Sequence, residues 1–169
     1  MTIDDINHLP RAEFEARIGP IFEHSPWIAS AAWERRPFAS REDLLAALFE
    51  AVEAAGADRL MDLIQAHPDL VGRLARQGAL TKESTKEQAS AGLLTLDAVT
   101  VARFEEQNTA YRKRFGFPFI ICARLNSVDT ILQAFEARLT NTREDEMRAA
   151  WNEIRKIAAL RLEDLMATS

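Results

Sequence analysis

Apolar residues recur at spacings of three and four along most of the chain, and each such stretch is opened by a capping side chain or closed by Gly, Pro or Asn. Ser25-Pro26-Trp27 places a hydroxyl at an N-cap and proline at the first helical position, which predicts a helix ending near Pro37. Ser40 opens the next, with Leu44, Leu45, Leu48, Phe49 and Val52 on one face and Gly56 as its stop. A short helix follows from Asp58 to about Ala66, and a long one from Asp97 through Phe115, stopped by Gly116. Ser127 or Asp129 begins a helix carrying Ile131, Leu132, Phe135 and Leu139, which Asn141 ends. Thr142 caps the last, with Glu144, Asp145 and Glu146 at its positive end, running through Trp151, Ile154 and Ile157 towards Met166. Phe117 to Ala123 has a strand-like pattern without a pairing partner, and reads as a buried extended connection between helices. Val99, Val101 and Phe104 serve either a core or a subunit interface.

Composition supports the same class. Twenty-eight alanines against five valines favour helix over sheet. At 169 residues the expectation is one compact all-α domain spanning 1–169, with no internal repeat or linker. The balance of 21 basic and 26 acidic residues leaves a net charge of −5, without the positive field that a phosphate backbone requires, so no nucleic-acid partner is expected. No run approaches the roughly 18 apolar residues of a membrane span, and none is expected. Met1-Thr2-Ile3-Asp4-Asp5 lacks the pattern of a secretory signal, and Ala167-Thr168-Ser169 is no Ser-Lys-Leu ending, which points to the cytoplasm.

Three places break the helical pattern with chemistry. His67-Pro68-Asp69-Leu70 puts a histidine at a joint between two helices, since proline disfavours helical geometry in the residue before it. Such a joint reads as an exposed hinge, and His67 there is either a general acid or base or a solvated helix-end residue. Ser84, Glu87 and Gln88 are related as i, i+3 and i+4, so a helix through them presents a hydroxyl, a carboxylate and an amide on one face. The same Ser-x-x-Glu spacing is a capping box, which would consume both side chains at a helix start. Arg161 falls within the apolar stripe of Trp151, Ile154, Ala158 and Leu165. A guanidinium facing inwards needs an anion, either a protein carboxylate or a ligand that carries one, unless it snorkels from the stripe's edge.

Other chemistry finds no motif. The chain has no phosphate loop, no His-Glu-x-x-His, no Cys-x-x-Cys and no Gly-x-Ser-x-Gly. His8, His24 and His67 are too widely separated to be joint ligands at helical spacing, so no metal and no cofactor is expected. The single cysteine, Cys122, follows Ile120-Ile121 and reads as a small buried apolar residue.

Together with Phe115-Gly116-Phe117-Pro118-Phe119-Ile120-Ile121, these places resemble the decarboxylase family that acts on 2-oxo-4-hydroxy-4-carboxy-5-ureidoimidazoline (OHCU) in the degradation of uric acid to allantoin. The resemblance extends from Ser25-Pro26-Trp27 and Arg36-Pro37-Phe38 to Arg161-Leu162-Glu163-Asp164-Leu165. It implies an all-helical homodimer that releases CO2 and forms (S)-allantoin, the third step from urate, without metal or organic cofactor. By position, His67 matches the catalytic histidine and Pro68 the residue that orients it. Ser84, Glu87 and Gln88 match the polar substrate-binding face, with Glu87 expected to hold His67 or the substrate hydroxyl. Phe119, Ile120, Ile121, Cys122 and Ala123 match a segment that offers backbone contacts, and Arg161 matches the substrate-binding arginine. The substrate is a small anion whose ring accepts the electrons released by CO2, so the protein need only orient it, stabilise its charge and deliver a proton.

One position departs from the family pattern: Val128 stands where a lysine is common. A divergent member acting on another ureide, and a silent helical interaction module in which His67 is solvated and Arg161 pairs with a protein carboxylate, are the alternatives.

Overall fold

Thr2 and Asp5 exchange side-chain-to-backbone hydrogen bonds in a capping box that starts α1 (Ile3–His8). The computed structural model describes residues 1–167 apart from 73, 74 and 76. Among the described residues eight further helices follow: α2 (Arg11–Ile18), α3 (Trp27–Trp33), α4 (Arg41–Ala55), α5 (Ala57–Ala66), α6 (Lys82–Ser90), α7 (Ala98–Phe115), α8 (Val128–Arg138) and α9 (Arg143–Ala167). Two 3-10 turns, Gly19–Ile21 and Ala123–Leu125, are present as well, and no strand occurs among the described residues. The all-helical class expected from composition is the one observed. No helix is long and apolar enough to cross a membrane among the described residues.

The caps act as their chemistry predicts. Ser40 Oγ accepts the Asp43 amide at 3.1 Å, Asp97 Oδ1 accepts that of Thr100 at 2.7 Å, and Thr142 Oγ1 accepts that of Asp145 at 3.1 Å. Gly116 closes α7 in the left-handed region at φ +80, a geometry that a Cβ would oppose. Two ends differ from expectation. Ser25 is buried and makes no cap, Pro26 takes the position before α3, and the helix stops at Trp33, where the Arg36 guanidinium accepts the role of end group by donating to the Trp33 carbonyl at 3.3 Å. Likewise α8 ends at Arg138 rather than Asn141, because the Thr140 hydroxyl donates to the Ala137 carbonyl at 2.7 Å and turns the chain.

The chain divides into two units. In the first, residues 1–66 and 155–169, α3 packs on α2 and α4, and α4 on α5. Its core is Ile6, Phe14, Ile18, Ile28, Leu44, Leu48, Leu63 and Ile64, joined by Ala158 and Leu162 of α9. Leu162, fully buried, fills the inward place expected of Leu165, which is half-buried. Asn7 ties α1 to the stretch after α3, its side chain donating to the Phe38 carbonyl and accepting the Phe38 amide, each at 2.8 Å.

The second unit, residues 67–154, is built on aromatic rings. Tyr111 lies 4.6 Å from Phe115 and 5.2 Å from Phe119 between ring centroids, and Phe119 stacks on Phe135 at 3.8 Å. Phe117 through Ala123 is a buried connection without ladder partners, as its sequence suggests. Phe104 belongs to this core, whereas Val101 is half-buried and Val99 exposed.

Candidate functional site

His67 follows directly on α5, so the joint implied by proline is real. Its side chain is not solvated: His67 is 7% exposed, which corrects the reading of an exposed hinge. Pro68 and Asp69 are half-buried, and the turn tightens so far that a Cβ on Gly72 would come within 2.8 Å of the Asp69 Cβ. Val71 is held at φ +54, in the left-handed region, at a cost of roughly 1–2 kcal/mol for an L-residue. Being β-branched and buried, it persists there only because its surroundings over-determine it.

Helix α6 supplies part of that hold. Thr81 is its N-cap, accepting the Ser84 amide at 3.2 Å, so Ser84 lies inside the helix and the capping-box reading of Ser84 and Glu87 fails. The helix therefore runs through Ser84, Glu87 and Gln88 and sets them on one face. Ser84 and Gln88 are buried and Glu87 half-buried. Gln88 Oε1 accepts the Val71 amide at 3.1 Å, and Nε2 reaches the Asp69 carbonyl at 3.5 Å. Its side chain is thus turned to the His67 turn and grips the backbone there.

The connection after α7 lies against the same helix, through the packing of Ala123–Leu125 on α6. Arg138 donates to the Ile120 carbonyl at 2.7 Å, and Glu153 accepts the Cys122 amide at 2.8 Å. Cys122 is buried, as expected of a small apolar residue. Among the described residues the Ile121 amide and carbonyl have no hydrogen-bond partner. His67, Pro68, Ser84, Glu87, Gln88 and Phe119–Ala123 all belong to the second unit.

Arg161 belongs to the first unit. It is buried, and donates to Glu23 Oε2 through Nη1 at 3.2 Å and Nη2 at 3.1 Å, and to the Pro20 carbonyl at 3.2 Å. The inward-facing arginine is observed, the snorkelling alternative is excluded, and a protein carboxylate stands beside it.

A buried network escaped the sequence reading. Glu146, which the sequence places in the first turn of the last helix, is fully buried. It accepts from the Tyr111 hydroxyl, from Arg138 Nε at 2.9 Å and from Asn141 Nδ2 at 2.9 Å. Burial, then the bond to Glu146, pushes the Tyr111 hydroxyl well above its usual pKa. Arg138 also lies 4.3 Å from the Phe119 ring centroid, so this network supports the connection from which Ile121 projects.

Comparison with known proteins places this arrangement. The family model described as OHCU decarboxylase matches residues 7–163, which include every candidate site residue. The chain belongs to the OHCU decarboxylase family. An OHCU decarboxylase of Amia calva is 41% identical over 166 residues, covering 98% of this chain and 95% of the relative. That of Mus musculus is 40% identical over 98% of this chain and 93% of its own length. Among solved structures, an OHCU decarboxylase crystallised in the presence of (S)-allantoin superposes with a TM-score of 0.67 at 25% identity, covering 83% of this chain and 91% of that one. A structure of (S)-allantoin synthase superposes with a TM-score of 0.78 at 30% identity over 98% of this chain, which spans 54% of that longer one. Val128, the departure from the family's common lysine, is the half-buried first residue of α8.

Proposed function

We propose that this chain decarboxylates OHCU to (S)-allantoin and CO2. The observation that carries the reading is the family match along residues 7–163, supported by 41% identity to a relative of that name over 98% of the chain. In the reaction the bond between ring carbon and carboxylate breaks, its electron pair forms a C=C bond to the adjacent imine carbon, and the imine nitrogen takes up a proton. A second proton then adds to that former imine carbon on one face, and the hydroxyl gives up its proton as the ring carbonyl forms. The substrate is its own electron sink.

In this reading His67 is the acid or base at the reacting carbon or its hydroxyl. Its burial supports that role, because an imidazole out of bulk water acts on what is bound beside it. Glu87 holds the imidazole or the substrate hydroxyl, and Pro68 and Ser84 contact the ring. The Ile121 amide and carbonyl offer a donor and an acceptor matched to a ureido or ring amide, with Phe119, Ile120, Cys122 and Ala123 shaping that wall. Gln88 contributes through its grip on the Val71 amide as well as its place on the polar face. Arg161 binds an anionic group of the substrate. A cytoplasmic homodimer completes the reading.

The test forms OHCU in place from urate with the two preceding enzymes and follows optical rotation. Uncatalysed decay yields racemic allantoin. The expected result is faster decay with a growing (S) signal on adding the protein; unchanged rate and a racemic product would overturn the reading.

A further inference from the structure

One peptide unit in the His67 turn is gripped on both edges. Asn108 Nδ2, from α7, donates to the Leu70 carbonyl at 2.8 Å, and Gln88 Oε1, from α6, accepts the Val71 amide at 3.1 Å. The carbonyl of Leu70 and the amide of Val71 are the two poles of the same plane. That plane sets φ of Val71 at +54, the strained value. Were it to flip, the carbonyl would face the Gln88 oxygen and the N–H would face the Asn108 amide, and both bonds would be lost.

We propose that Asn108 is a positioning residue for His67, acting as a lock on the Leu70–Val71 peptide unit. This rests on the catalytic reading of His67 above. Asn108 is buried, and its Oδ1 has no hydrogen-bond partner among the described residues. A buried acceptor left without a partner is unfavourable, and a leucine would fill similar space without one. The worth of asparagine here lies in its donor, spent three residues from His67 on a carbonyl of the turn that carries it. Arg112, one helical turn further along α7, reinforces the grip from the rim by donating to Asp69 Oδ1 at 2.9 Å.

The test compares Asn108→Asp, which keeps the shape but sets a carboxylate against the Leu70 carbonyl, with Asn108→Leu, which removes the polar group. Wild-type turnover is measured alongside, so that an inactive wild type sinks the proposed function while an active one exposes Asn108 alone. Folding is followed by circular dichroism, and the His67 imidazole by NMR, assigned with His67→Gln. The expected result is a kcat about ten-fold lower in a folded variant, KM within two-fold, and a moved or broadened His67 signal with those of His8 and His24 unchanged. A folded variant with wild-type kcat, a raised KM at wild-type kcat, or an unmoved His67 signal overturns the lock. If Asn108→Leu does not fold, the near-isosteric Asn108→Asp decides by the same criteria.

Discussion

Two irregular segments of the second unit, the turn after His67 and the connection from Phe117 to Ala123, are held by contrasting means. The turn is gripped at its centre by neutral amides, those of Gln88 and Asn108. The connection is gripped by charges, Arg138 on the Ile120 carbonyl and Glu153 on the Cys122 amide, with phenyl rings behind. The charged contact of the turn, Arg112 on Asp69, lies at its rim, so the centre is fixed by neutral groups alone. The connection offers backbone groups, and charge-assisted bonds, roughly twice as strong as neutral ones, can hold a wall whose backbone must not yield. One segment offers a side chain on a fixed backbone, the other a backbone on fixed side chains.

That contrast can be broken at either end. The largest effect is expected from His67→Ala, with kcat about 10²–10⁴-fold lower and an unchanged circular dichroism spectrum, as measured by the optical assay. A fully active His67→Ala would remove the side chain from the chemistry. Next comes Glu146→Ala, which takes the fully buried carboxylate from the largely covered Arg138 and is expected to destabilise the fold by about 3 kcal/mol in urea unfolding. If stability barely moves, the charged hold on the connection is dispensable and the contrast falls. The smallest effect is confined to alkali. The Tyr111 hydroxyl is pushed up from 10.0 by burial and by Glu146, so the unfolded chain loses this proton first. Its contribution is complete below that value and declines as pH rises through the folded-state pKa. Tyr111→Phe is therefore expected to be less stable than wild type at neutral pH, through the lost bond to Glu146, and to close part of that gap above pH 10.0. A gap that widens with alkali would contradict the direction of the shift.

Much of the fold was legible because helix ends are local. Ser40, Asp97 and Thr142 act within three residues of themselves, and Gly116 through its own φ. The end of α3 was not, since Arg36 is held by the Asn7 carbonyl at 2.8 Å from another helix. Among site residues, spacing offered the polar face of α6 and the inward arginine, each beside a rival: a capping box for the first and a snorkelling side chain for the second. Whether Ser84 capped the helix turned on Thr81, three positions earlier, a rival hydroxyl of somewhat lower capping propensity. The burial of His67 had no local signal, because proline reports a joint and says nothing of what covers it. Glu23, 138 positions from Arg161, and Glu146 beside Tyr111 are pairings made by tertiary structure. Glu146 in particular looked like an ordinary charge at a helix start.

The Thr81 cap also works as an angular index. A helix advances about 100° per residue, so the direction in which Ser84, Glu87 and Gln88 point is counted from the place where the helix begins. One residue added or removed between Thr81 and Ser84 would swing all three by that angle, away from the turn that Gln88 now grips. Length changes ahead of Thr81 would leave the count intact. The spacing from cap to polar face is therefore a dimension of the site in its own right, one that no substitution can probe and a single-residue deletion can.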